Sequence, residues 1–199
     1  MPTDAPTPSR VRASDELRHV ALEQFATEGF AGTSLQQIAD HAGYSKSSVL
    51  YHFSSKEALF EAAIGPAIDA MEELLGDFVA SGRSAEARAV FIERFVDFLL
   101  GHRLAVHTFV NQGQSLRGIP VIERANQAIR ALADQICEAD APLGEQMRFS
   151  VALAGAAYTL VAGTTFLDDD QQRADVDIRT ALIAVLSELL LPADGRPTR

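Results

Sequence analysis

Apolar side chains recur three or four residues apart along the whole chain, and no stretch alternates convincingly with a period of two. Such spacing places side chains on one face of an α-helix, whereas a half-buried strand requires alternation. The pattern therefore predicts an all-α fold. Near the N-terminus, Leu17, Ala21 and Phe25 form one such stripe in a helix predicted over residues 14–28, and Gly29 is expected to end it.

Two short helices joined by a turn at Gly43 are predicted next. Ser34 is placed to cap the first of them, and Gln37, three residues later, completes a capping box. Ser45 is placed to cap the second, over residues 46–51. Two short helices joined by a three- or four-residue turn that contains glycine have the outline of a helix-turn-helix motif.

The remainder of the chain predicts longer helices. Ser54 and Glu57 form a third capping box before a long helix that bends near Pro66 and stops at Gly82. Five further helices are predicted near residues 84–100, 103–115, 121–140, 145–167 and 176–191.

The distribution of charge distinguishes the two ends of the chain, and the cysteine content indicates its compartment. The formal net charge is −10, with five Lys/Arg against six Asp/Glu in residues 1–56 and twelve against twenty-one in residues 57–199. The acidic remainder argues against binding nucleic acid through bulk positive charge. The single cysteine, Cys137, allows no disulfide within one chain, and the polar N-terminal stretch has no secretory signal, so we expect a cytoplasmic protein.

Residues 149–167 contain no charged side chain across nineteen positions, which is near the length of a membrane span. The segment is rich in Ala, Gly, Thr and Val rather than Leu, Ile and Phe, and no cluster of Lys or Arg flanks it. We therefore interpret it as a helix buried on all sides, either in a core or between subunits.

No motif predicts an enzyme, a metal site or a cofactor. Residues 113–118 hold one residue too many for the G-x-S-x-G nucleophile motif, and His102 and His107 lack the H-E-x-x-H pattern of zinc proteases. The acidic run at residues 168–170 could attract a cation but is more typical of a solvated loop. The sequence predicts no catalytic residue and no Gly-rich phosphate loop.

From Leu17 to Glu57 the sequence resembles the TetR-type (TetR/AcrR) transcriptional regulators. Glycines, helix caps and apolar residues occur at the same relative positions as in that family over some forty residues. The residues that carry the resemblance are Ala21-Leu22-Glu23, Phe25, Gly29-Phe30, Thr33-Ser34, Ile38-Ala39, Ala42-Gly43, Ser45-Lys46, His52-Phe53 and Ser55-Lys56-Glu57-Ala58-Leu59. The resemblance implies an all-α homodimer with an N-terminal three-helix DNA-binding domain, expected over residues 1–56, and a C-terminal helical ligand-binding and dimerisation domain, expected over residues 57–199.

A recognition helix presents polar side chains to the major groove, where each base pair shows a distinct pattern of donors and acceptors. By resemblance, the second helix of the motif faces base edges, the preceding helix offers one side chain, and the segment after it approaches the phosphates. Ser45 is a helix cap and a candidate DNA contact, and both roles stay open. The predicted DNA-binding residues are Gln36, Ser45, Lys46, Ser47, Ser48, Tyr51, His52 and Lys56.

Two positions depart from the family pattern. Ser47 stands where the family often has glycine, and Leu50 stands where it often has tyrosine. Leu50 could meet a thymine methyl group or pack inward. Arg10 and Arg12 are expected in an arm ahead of the first helix, which either reaches the DNA or stays solvated.

The C-terminal part predicts a small-molecule effector and a partner subunit. An apolar or amphipathic molecule is expected among the middle helices, although each aromatic there could equally belong to the core. Candidate ligand contacts are Phe95, Phe98, His107, Asn111, Met147 and Tyr158. The last two helices are the candidate dimer interface, with a single buried core as the alternative. The sequence therefore predicts a ligand-responsive regulator, a repressor released from a palindromic operator; the alternative is a helical dimeric scaffold or small-molecule-binding protein that has lost DNA binding.

Overall fold

A computed structural model describes residues 8–82, 84–113, 115–136, 142–162 and 175–191. Within those ranges every regular element is an α-helix, as the hydrophobic period predicts. The helices are α1 Pro8–Gly32, α2 Leu35–Ala42, α3 Lys46–His52, α4 Lys56–Ser81, α5 Ala85–Gly101, α6 Arg103–Gln112, α7 Pro120–Ile136, α8 Leu143–Val161 and α9 Asp175–Leu190. Cys137 and the acidic run at residues 168–170 lie outside the described residues.

The first helix is longer than predicted and is broken at Gly29. It begins at Pro8, so Arg10 and Arg12 lie within α1, and the prediction that they belong to an arm ahead of the helix is wrong. At Gly29 the backbone turns to φ +78°, ψ 158°, and helical residues resume after it to Gly32. A side chain at this φ would be strained, which explains glycine at the break.

Local capping signals fix the ends of the next three helices. Ser34 and Gln37 form the predicted capping box of α2, and the Ser45 hydroxyl caps α3 by accepting from the Ser48 N–H. The long helix α4 is capped by Ser55, whose hydroxyl accepts from the Ala58 N–H, so the prediction of Ser54 as cap is wrong by one residue. This helix runs unbroken through Pro66.

The buried apolar side chains form two clusters. The first joins α1, α2 and α3 to the N-terminal half of α4 and also takes in residues of the α6–α7 region, such as Leu116 and Ile122. The second joins the C-terminal half of α4 to α5, α8 and α9. Met71 on α4 packs against both clusters. The three-helix unit therefore rests on α4, α6 and α7 through continuous apolar packing, and a boundary at residue 56 stays a prediction.

Candidate nucleic-acid interface and cavity

The α2–α3 pair is held by backbone geometry at Gly43. This residue adopts the left-handed conformation, φ +72° and ψ 25°, and ends α2. The Tyr44 N–H then donates to the Ala39 carbonyl at 2.8 Å, which closes the turn before Ser45 opens α3. Ile38 and Ala39 of α2 are fully buried together with Val49 of α3. The turn and these apolar contacts fix one face of α3 against the domain and leave the other face outward.

The outward face of α3 carries four exposed side chains. Lys46, Ser47, Leu50 and Tyr51 are all exposed, at positions that repeat with the helical period. Leu50 is 44% exposed and Tyr51 66%, so Leu50 does not pack inward. The face therefore offers a cation, a hydroxyl, an apolar group and a phenol, which between them can meet phosphates, base edges and a thymine methyl group.

The other predicted DNA contacts lie beside this face, and several of them already contact neighbouring side chains. Gln36 is exposed on α2 and donates to Asp40 Oδ1 at 2.8 Å. The hydroxyls of Ser45 and Ser47 lie 2.9 Å apart, so Ser45 is both a helix cap and part of the exposed edge. Ser48 is partly buried, and so is His52, whose ring meets that of Tyr51 edge-on at 5.4 Å.

The start of α1 reaches the same face. The Arg10 guanidinium lies over the Tyr51 ring, 5.0 Å from its centroid. A cation–π contact of this kind holds the arginine beside α3 without consuming its hydrogen-bond donors. Nearby, the Tyr44 hydroxyl donates to Glu16 Oε2 at 2.9 Å, and this bond to a carboxylate raises the pKa of Tyr44. Arg10 thus belongs with α3 as a candidate phosphate contact.

Lys56 occupies a more structural position than the resemblance implies. Its Nζ donates to the carbonyl oxygens of Phe30 at 2.7 Å and Thr33 at 2.9 Å, and it lies 4.3 Å from the centroid of the Phe30 ring. These contacts hold the end of α1 against the start of α4. An ammonium has a third donor, so contact with a DNA phosphate stays a prediction for Lys56.

The break in α1 is filled from the distant helix α6. Gln112 Nε2 donates to the Phe25 carbonyl at 2.7 Å, and Gln112 Oε1 accepts from the Phe30 N–H at 2.8 Å. The turn at Gly29 removes the Phe30 N–H from the usual bond to the residue four positions earlier. A side chain at Gly29 would meet Gln112 Oε1 at 3.4 Å. This primary amide therefore joins the three-helix unit of α1, α2 and α3 to α6.

A cavity of about 790 Å³ lies between α4, α5, α6, α7 and α8. Its described wall is almost entirely apolar, and the polar side chains on it are those of Ser150 and Tyr158. Helix α6 contributes Phe109 to this wall and, three residues later, contributes Gln112 to the break in α1. The cavity and the three-helix unit are thus in contact with the same short helix.

Comparison with known proteins agrees with this architecture. Residues 17–63 match the family model TetR_N, described as bacterial regulatory proteins of the tetR family. Residues 17–63 are thus similar to the N-terminal domain of the TetR family. Over 49 residues it is 51% identical to the HTH-type transcriptional regulator RutR of Escherichia coli K12, covering 25% of this chain and 23% of RutR. Over 103 residues it is 32% identical to the HTH-type transcriptional repressor KstR2 of Mycolicibacterium smegmatis, covering 44% of this chain and 50% of that protein.

The fold similarity to solved structures extends much further along the chain than the sequence similarity. The structure of the ketosteroid transcriptional regulator KstR2 of Mycobacterium tuberculosis matches with a TM-score of 0.69 at 17% identity, covering 91% of this chain and 94% of that one. The TetR-family regulator SCO3833 of Streptomyces coelicolor A3 matches with a TM-score of 0.64 at 21% identity, covering 94% and 92%. The all-α fold with an N-terminal helix-turn-helix unit is therefore that of the TetR family.

Three of the six predicted ligand contacts line the cavity: Phe95, Phe98 and Tyr158. The other three lie off the described wall, and a ligand contact stays a prediction for them. His107 pairs with Asn111 along α6, with Asn111 Nδ2 and His107 Nε2 3.0 Å apart, and Met147 is 55% exposed on α8. The helical period could have separated these positions, because α6 lines the cavity with Ala105, Val106, Phe109 and Val110.

Sequence reasoning missed the five α4 residues on the wall and the role of Gln112. The α4 residues are Ala67, Ile68, Met71, Leu74 and Leu75, which fit a core stripe equally well. Among the described residues, no three His, Cys, Asp or Glu side chains lie close enough together to hold a metal ion. In the same residues, no helix is long and apolar enough to cross a membrane.

Proposed function

We propose that the chain is a ligand-responsive DNA-binding transcriptional regulator that acts in the cytoplasm as a symmetric dimer, most simply a repressor. The observation that carries the proposal is the exposed face of α3, whose Lys46, Ser47 and Tyr51 project outward while Val49 is fully buried behind them. A helix held in this way can enter a major groove with its polar edge foremost. The net charge of −10 leaves these few placed groups, rather than bulk charge, to attract DNA.

Two copies of this face must be held at a fixed separation to read a palindrome, because half-sites one helical turn apart lie about 34–36 Å from each other. The last two helices supply the surface for such a dimer. On α8, Val151 is 65% exposed and Tyr158 50%, and α9 exposes Val185 and Leu189. Large apolar side chains exposed together on a monomer are typical of an interface. Their exposure argues against the alternative in which both helices belong to a single buried core.

An effector would act by favouring one of two arrangements of this dimer. The cavity lies against α4, which begins at the DNA-binding unit, and against α6, which carries Gln112. A molecule that binds one arrangement more tightly shifts the equilibrium only by that difference in affinity. We propose that a small apolar or amphipathic molecule in the cavity favours the arrangement that does not fit the operator.

Selection of bound sequences from a random DNA pool tests the DNA-binding claim directly. We expect a palindromic operator, whose affinity falls with salt at a logarithmic slope of roughly −4 to −7, corresponding to about four to eight phosphate contacts per dimer. Lys46→Ala should weaken binding about tenfold, whereas Arg117→Ala, which removes an exposed cation between α6 and α7, should change it less than about twofold. If no sequence is enriched and the salt slope is near zero, the chain is a scaffold that has lost DNA binding.

The dimer and the direction of regulation need separate measurements. Sedimentation equilibrium should give a dimer, and Val151→Glu combined with Leu189→Glu should give a folded monomer, because both changes bury charge at the proposed interface. A monomeric wild-type protein would contradict the proposal. A reporter gene placed behind the selected operator should be expressed less when the protein is present, and an increase would identify an activator instead.

A further inference from the structure

The wall of the cavity carries no charged side chain among the described residues. Its larger groups are aromatic and branched aliphatic side chains from five helices, and polar atoms reach it from Ser150 and Tyr158. The Ser150 hydroxyl already donates to the Gln146 carbonyl at 2.9 Å, so it remains mainly an acceptor. A ligand in this space therefore meets hydrocarbon on nearly every side.

Several arginines close to the cavity helices are directed into ion pairs on their outer faces. Arg124 of α7 bonds to Asp69 and Glu72 of α4, with Arg124 Nη2 2.7 Å from Asp69 Oδ1. Arg179 of α9 binds Asp97 of α5 through two nitrogens, at 2.6 and 3.0 Å. These acidic partners hold the guanidinium groups on the surface, and the Arg179 contact lowers the pKa of Asp97. These two guanidinium groups are thus already paired and are directed away from the wall.

From this wall we infer that the cavity binds an uncharged, largely hydrocarbon molecule, such as a long-chain alcohol, a sterol-like polycycle or a terpenoid, and excludes carboxylates, phosphates and ammonium ions. The inference rests on the proposed function only in taking the cavity as the effector site. It narrows that proposal, because an amphipathic molecule with an ionised head no longer qualifies. A volume of about 790 Å³ is within the range of drug-sized and cofactor-sized pockets.

The physical reason is desolvation. An ion that enters an apolar wall loses its hydration and gains no opposite charge there. A neutral hydroxyl loses much less, and the Ser150 hydroxyl oxygen can accept one hydrogen bond from it. A charged head could stay wet only at the exposed edges of the cavity. Val151 and Tyr158 lie at the α8 edge, which the proposed partner subunit covers, and Val110 and Ile129 lie at the edge formed by α6 and α7.

Three ligands of equal chain length separate this inference from general hydrophobic binding: 1-decanol, decanoate and decylammonium. Each is titrated against the full-length protein near neutral pH by displacement of the neutral fluorophore N-phenyl-1-naphthylamine, with thermal unfolding as a second measurement. We expect 1-decanol to bind at least about tenfold more tightly than either ion, which is about 1.4 kcal/mol. The net charge of −10 would favour the cation and oppose the anion, so weakness of both ions identifies desolvation as the cause.

A charge introduced into the wall should reverse the order. Met71→Lys places an ammonium group on the α4 part of the wall and should make decanoate the tightest of the three ligands. Ala80→Lys adds the same charge at an exposed position of α4 and should leave the wild-type order unchanged. If Met71→Lys fails to fold, the three wild-type affinities still decide the matter.

Equal or tighter binding of either ion to the wild-type protein would overturn the inference, as would the absence of any displacement and any thermal shift with 1-decanol. Neither result bears on the DNA-binding claim, which the selection from a random pool tests separately. Conversely, selective binding of 1-decanol by a protein that enriches no DNA sequence would support the inference and contradict the proposed DNA-binding function.

Discussion

Replacing Gln112 by leucine tests whether one side chain on α6 stabilises the break in α1. The substitution keeps the size of the side chain and removes both hydrogen bonds, leaving the Phe30 N–H and the Phe25 carbonyl without their amide partner. Each bond contributes about 1 kcal/mol, and a buried polar group left unpaired costs about 1–3 kcal/mol. Because the site is partly buried and water can reach some of it, we expect Gln112→Leu to lower the free energy of unfolding by roughly 2–4 kcal/mol.

Asn111→Leu is the matched control, because it removes an amide from the neighbouring position of the same helix. Asn111 is exposed and pairs with His107 of α6 itself, so its loss should change stability by less than about 0.5 kcal/mol. Urea unfolding followed by circular dichroism measures both variants, and hydrogen exchange of the Phe30 amide reports the bond directly. If Gln112→Leu unfolds like the wild type and the Phe30 amide keeps its protection, the amide does not support the break.

Three further substitutions test other parts of the structure. Lys56→Met removes two hydrogen bonds to carbonyls and should lower stability by roughly 2–3 kcal/mol in urea unfolding, whereas Lys46→Met should weaken DNA binding and leave stability nearly unchanged. Gly43→Ala should cost about 1 kcal/mol because φ is +72°, and Gly65→Ala, in helical α4 with no atom within 4 Å of an added Cβ, should instead stabilise slightly. Burial lowers the pKa of His102, so as the pH drops through the ordinary histidine range the unfolded chain binds a proton at this side chain before the folded chain does, and the free energy of unfolding should fall. His102→Gln should reduce this fall. An unchanged pH dependence of the urea midpoint in the variant would contradict the prediction.

The features that depend on neighbours in sequence were predictable. The capping box at Ser34, the cap at Ser45 and the turn at Gly43 each follow from residues within three or four positions, and the structure confirms all three. The long helix was also predicted, although its cap is Ser55 rather than Ser54, because adjacent serines offer the same hydroxyl and only tertiary packing chooses between them.

Features that depend on distant partners were not predictable in the same way. The two bonds of Gln112 span 82 and 87 residues, and no periodicity or motif relates α6 to α1. Lys56 resembles a phosphate contact in sequence, but its carbonyl partners appear only once α1 and α4 are packed. The sequence likewise identifies Phe95 and Phe98 as apolar candidates for a cavity wall, but the space beside them results from the packing of five helices.

The amide at the α1 break comes from α6, and this limits how the N-terminal helices can be transferred to another protein. An N-terminal unit taken from this chain and fused to the C-terminal helices of another protein of the same fold would carry the Gly29 turn without Gln112, unless the new host presents a comparable side chain. Chimeric proteins built from this chain should therefore transfer α6 together with the three-helix unit, or introduce glutamine at the matching position of the new host.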